Sequence, residues 1–146
     1  MGLANASLMR YRDAIRDQKK AIEASEQKAN HQALFQLGVT QRRVANGPLL
    51  EGEDRMELLR QSVENLNTAC QHNLTEPTYF NNRGLSHFER EEFEQALVSY
   101  ETAIQLEIEK LKVEKDRSLE NLSFYHKNLG LALYHQGEYG RALDEY

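Results

Sequence analysis

One interval recurs three times along this chain. Gly2, Gly84 and Gly130 each stand twelve residues before an alanine (Ala14, Ala96 and Ala142), and an aromatic residue (Tyr11, Phe93 and Tyr139) stands three residues before that alanine. A fourth glycine, Gly38, opens a related run, Leu37-Gly38-Val39, without the alanine. Such an interval constrains the fold strongly. Two helices cross closely only where small residues let their backbones approach, so a glycine on one helix and an alanine on the next mark a repeated crossing. No single helix hairpin buries its own apolar face, and stability then comes from stacking neighbours. Successive glycines lie 36, 46 and 46 residues apart, so the period itself is irregular while the interval inside each unit is constant.

The pattern W-x2-L-G-x2-Y…A-x3-F gives the comparison its detail. In the last unit Leu129-Gly130 supplies the Leu-Gly pair, with Leu133 at the Tyr place, Ala142 at the Ala place, Tyr146 at the Phe place and His126 at the Trp place. In the unit before it, Phe80, Gly84, His87, Ala96 and Tyr100 take the same places, and Ala103 adds the second small residue of the second helix. The first unit retains Gly2, Ala14 and Ala21, with Gln18 in the aromatic place. On these residues the chain resembles the tetratricopeptide-repeat (TPR) family. The resemblance implies an all-α, right-handed superhelical solenoid of antiparallel helix hairpins. It divides the chain into the C-terminal part of a first repeat over 1–28, a degenerate repeat over 31–76, a repeat with an extended second helix over 77–122, and the start of a further repeat over 123–146.

Two insertions account for the stretched spacings. In the degenerate repeat, Leu34, Leu37, Gly38 and Gln41 mark the first helix, and Ser62, Leu66 and Ala69 fit the second only if about a dozen extra residues lie in the turn near 45–54. Asn46-Gly47-Pro48 there cannot continue a helix. In the next repeat, 106–117 has no glycine or proline, and Leu97, Tyr100, Ile104, Ile108 and Leu111 continue one apolar face, which predicts a lengthened helix. The helices are expected at about 1–8, 10–25, 30–45, 53–72, 77–90, 93–115, 118–136 and 139–146, with Thr75 capping a helix that opens at Pro77 and Gly137 closing another. Met1 stands where the repeat's leucine would be and Tyr146 falls midway along a second helix. The expectation is an excerpt of a longer array, or an array whose ends partner chains cover.

Composition agrees with helices and narrows the partners. Only two prolines and no tryptophan occur, and Leu, Ala, Glu, Gln and Arg, which lose little side-chain freedom in a helix, are abundant. The formal net charge is -5; 1–76 carries ten basic and ten acidic residues, and 77–146 carries eight and thirteen. That distribution lacks the basic footprint of a nucleic-acid binder. Cys70 is the only cysteine, expected in the core, and no apolar run approaches a membrane span. The expected setting is cytoplasmic or otherwise intracellular, ciliary and cytoskeletal assemblies included.

No pattern for catalysis emerges. The five histidines, His31, His72, His87, His126 and His135, are scattered without metal-ligand spacing, and phosphate-cradling loops and nucleophile elbows are absent. Glu89, Glu91, Glu92 and Glu94 cluster in a turn expected to be wet, a solubilising surface rather than the enclosed pocket that acid–base work needs. The expectation is a non-enzymatic protein-interaction scaffold or adaptor without catalytic residues, metal or cofactor, set in a multi-subunit assembly. The resemblance implies that the first helix of each pair lines a groove that takes a peptide or an amphipathic helix. Carried over, that groove comprises Phe35, Gln36, Val39 and Arg42, then Asn81, Asn82, Leu85 and Phe88, then Lys127, Asn128, Leu131 and Tyr134. Asn82 and Asn128 fall where some family members use an asparagine on the ligand backbone. The carboxylate clamp of chaperone-binding TPR domains is not matched, since Lys127 is followed four residues later by Leu131. The alternatives are an architectural subunit that contacts neighbours through its ends and convex face, and an RNA-binding helical repeat, which the charge opposes.

Overall fold

In a computed structural model, the chain is described over residues 3–24 and 30–137, with side chains over 8–22 and 30–137. Expectations resting on Met1, Gly2, Tyr139, Ala142 and Tyr146 lie outside the described residues. Six helices run α1 (Leu3–Ala24), α2 (His31–Asn46), α3 (Gly52–His72), α4 (Pro77–Glu89), α5 (Phe93–Val113) and α6 (Glu120–His135), and no strand occurs among the described residues. The chain divides into two compact units, Met1–Asn73 and Leu74–Tyr146.

In the first unit, α2 begins where Asn30 accepts a hydrogen bond from the Ala33 amide at 3.1 Å, satisfying one of the helix's otherwise unpaired N–H groups. Leu37, Gly38, Gln41, Val44 and Ala45 recur at three- and four-residue spacing and are buried against Leu59, Ser62, Val63, Leu66, Ala69 and Cys70 of α3. The crossing is tight. A methyl group added at Gly38 would come within 2.6 Å of Leu66 Cγ, and Ser62 Oγ donates to the Gly38 carbonyl at 2.6 Å. Gln41, fully buried, donates to Gln61 at 3.1 Å and accepts from Asn65 at 2.8 Å, so its amide is not left unsatisfied.

Two expectations for this unit need correction. The break placed between residues 8 and 10 does not exist: α1 runs unbroken because Leu8-Met9-Arg10 has strong helix formers and no glycine or proline. Ala14 and Ala21 are exposed on it, while Ile15 packs with Leu37 and Val44. The insertion near 45–54 is not a long turn either. Only residues 47–51 separate α2 from α3, and the extra length is helical. Leu66 nonetheless meets Gly38 as Tyr100 meets Gly84, although twenty-eight residues separate the first pair and sixteen the second.

The second unit repeats the crossing. A methyl group at Gly84 would lie 2.5 Å from Tyr100 Cε1, and Ala96 and Ala103 are fully buried on α5. The cap of α4 is Glu76, not Thr75: with Pro77 at the first helical position, the residue directly before it caps, and its carboxylate accepts from the Thr78 amide at 3.4 Å. α4 closes with Glu91 at φ 61, its amide donating to Phe88 O at 2.9 Å while the Glu92 amide reaches His87 O at 2.9 Å. That is a Schellman motif with glutamate in the left-handed position where glycine is usual. At its other end the lengthened α5 buries Glu107 completely, and Arg117 from the following loop grips both carboxylate oxygens at 2.8 and 3.0 Å. As expected, α6 is stopped by Gly137, at φ 87.

Candidate partner-binding faces

On α2, Phe35, Val39 and Arg42 recur at four- and three-residue spacing and are half-buried, and Gln36 beside them is exposed. They lie off the stripe that α2 buries against α3, so they form a mixed apolar and cationic strip on the first unit.

On α4, the asparagines are engaged within the protein. Asn81 is buried and accepts at 2.9 Å from Asn128, itself buried on α6. Asn82 turns its amide N–H back to the Thr78 carbonyl at 2.9 Å. Asn81 and Asn128 thus join α4 to α6 and present little surface, a correction to their placement in an open groove. Asn128, the residue beside the Leu-Gly pair, faces the neighbouring helix here. Leu85 and Phe88 remain half-exposed. Phe88 meets Phe93 edge-on at 5.5 Å between centroids and His135 at 5.2 Å, while His135 stacks on Phe93 at 5.7 Å.

On α6, Lys127 is exposed, Leu131 half-buried and Tyr134 half-exposed. Phe124, 49 % exposed, continues the same face one turn earlier, and Leu119, 67 % exposed, stands before the helix. Leu119, Ser123, Phe124 and Lys127 bound an open hollow. Sequence reasoning missed Phe124 because it matches no place in the repeat pattern; its three-residue offset from Lys127 was the available signal.

Two groups have shifted acidity. Burial, partly opposed by the Glu92 carboxylate 3.1 Å from Nδ1, holds the His87 imidazole below its ordinary value, so it is neutral at physiological pH. Burial likewise raises the Tyr125 hydroxyl, which lies 3.5 Å from the Thr78 hydroxyl. Among the described residues, no group of three or more metal-ligating side chains converges, and no helix is long and apolar enough to cross a membrane.

No family model matches the chain, and no curated protein matches it significantly. Solved structures do. MamA superposes with a TM-score of 0.71 at 20 % identity, covering 100 % of this chain and 71 % of MamA. The N-terminal domain of stress-induced protein-1 (STI-1) from C. elegans superposes with a TM-score of 0.51 at 15 % identity, covering 78 % of this chain and 87 % of that domain. Both are TPR proteins. Taken with the repeated glycine-to-large-residue crossings, this likeness gives the fold: the chain has an all-α, tetratricopeptide-like helical-repeat fold.

Proposed function

We propose that the chain is a non-enzymatic protein-interaction scaffold that holds a partner segment on the exposed face of α6, within a larger assembly. The observation that carries this reading is the stripe Phe124–Leu131–Tyr134 with Lys127 in its middle. Large side chains gathered on one helical face at this level of exposure mark contact surfaces, and an amphipathic cation among them selects for an acidic group amid apolar anchors. Leu85 of α4, in the same unit, supplies a further apolar contact position, and Phe35, Val39 and Arg42 of α2 form a separate strip of mixed chemistry on the first unit. An extended peptide or amphipathic helix with an acidic residue flanked by apolar ones suits them.

The test is a pull-down from the protein's own cells with the wild-type chain and with Phe124→Ser/Tyr134→Ser, both checked for equal helicity. Loss of specific partners from the double variant supports the reading. An unchanged partner set removes the α6 face from consideration.

An architectural role is the second reading. It draws support from α1, where Tyr11, Ala14 and Ala21 lie exposed along one side, a surface suited to close packing by another helix. Tyr11→Glu/Ala14→Glu would then release a neighbouring subunit while leaving peptide capture by α6 intact.

A further inference from the structure

The unbroken α1 and the lengthened α2–α3 hairpin together create a feature that the repeat pattern does not contain. Between the N-terminal half of α1 and the far end of the hairpin runs a groove of about 380 Å³. Its floor is aliphatic, made by Leu8, Ile15, Val44, Leu50 and Leu58. Ile15 and Val44 belong to the buried core there, and Leu50 and Leu58 pack on it half-exposed.

The two rims carry opposite charge. Arg12, Arg16 and Lys19 line the α1 side, and Asp54 and Glu57 line the α3 side. Within its own helix, Arg16 pairs with Asp13 at 3.1 Å, and Glu57 with Arg60 at 2.6 Å. Lys19 reaches across only to the neutral Gln61, at 3.4 Å, and so closes one end. The rim charges recur at three- and four-residue spacing, or about 5 Å along each helix. Side chains on one face of an extended strand recur at about 7 Å and fall out of step with them, whereas those of another helix stay in step.

We infer that this groove is a second docking site, and that it takes an amphipathic helix of a partner protein. The helix lays an aliphatic ridge on the floor, an acidic flank against α1 and a basic flank against α3. The site is independent of the α6 face, so either can fail alone. Charge complementarity on both sides at once is the selective element: a ridge flanked by one sign of charge meets repulsion along one rim whichever way it points.

The test uses the whole chain and three fluorescent helical peptides that share one leucine ridge. One carries glutamates on one flank and lysines on the other, the second only glutamates, and the third only lysines. In anisotropy titrations at low salt, the mixed peptide is expected to bind saturably and about tenfold more tightly than either control. Added salt should erase the difference, because exposed charges are screened within about 10 Å at 0.1 M. Arg12→Glu/Arg16→Glu, at exposed positions that keep the fold by circular dichroism, should shift the preference to the all-lysine peptide. Phe124→Ser/Tyr134→Ser should change nothing. Absence of saturable binding by the mixed peptide, or equal binding of all three, overturns the proposal. So does a dimer of the free chain that Arg12→Glu/Arg16→Glu dissociates, since the occupant would then be a second copy.

Discussion

Asn81 on α4 and Asn128 on α6 share a 2.9 Å hydrogen bond between two buried side chains. Each amide is the other's partner where little surface is exposed, and the bond ties together residues forty-seven apart in the chain. Asn128→Ala leaves the Asn81 carbonyl buried without that donor and is expected to lower stability by about 1–3 kcal/mol, read as a shift in the urea midpoint. Because the two substitutions remove one shared bond, Asn81→Ala/Asn128→Ala should cost clearly less than the sum of the singles. Additive costs would show that the bond is not the shared element.

Gly84 and Tyr100 are the small and large halves of one crossing. Gly84→Ala puts a methyl group 2.5 Å from a ring carbon held in a packed core, and is expected to cost about 1–3 kcal/mol. Tyr100→Leu should cost stability alone yet soften the effect of Gly84→Ala, because it removes the atoms that collide. Thermal melts of the four proteins decide this; a Gly84→Ala chain as stable as wild type would refute the crossing as drawn.

Glu91 occupies the left-handed position that ends α4, at φ 61. A non-glycine residue there carries about 1–2 kcal/mol of backbone strain, partly offset in any exchange to glycine by the added freedom of the unfolded chain. Glu91→Gly is therefore expected to raise stability by about 0.5–1 kcal/mol, measurable as a higher melting temperature. A lower one would contradict the assigned conformation.

His87 links stability to pH. Its acidity in the folded chain is shifted below the ordinary histidine value of 6.5, so the unfolded chain takes up the proton first as pH falls. The contribution is fully present above that value and is lost as pH drops through it. The urea midpoint should decline between pH 7.5 and 5.5, and His87→Gln should decline less, since its side chain does not titrate. Parallel declines would show that other groups set the dependence.

How far the sequence foretold these features depends on how locally each one is encoded. Gly84 and Tyr100 could each be given a place on adjacent helices from the repeat pattern, but their contact could not. The constant interval pointed from the glycine to Ala96, while the side chain that meets Gly84 is Tyr100. At Ala14 the alanine itself lies exposed, and nothing between residues 8 and 10 ends a helix. Asn128 could be placed on its helix but not turned to the right side, because facing is fixed by the neighbour it meets. Glu91 gave no sign, since glutamate does not announce a left-handed residue. The charged-rim groove was invisible for another reason: Leu8, Val44 and Leu58 come together only through tertiary packing.

The equivalence of Leu66 with Tyr100, despite the twelve additional residues that separate Leu66 from its glycine, has a mechanical meaning. The crossing acts as a fulcrum, and the α2–α3 hairpin beyond it is a lever whose arm can be lengthened or shortened by whole turns. Splicing at residues 47–51 would alter the reach of that arm and leave the pivot untouched. A repeat built this way can acquire new surface without relearning how to fold.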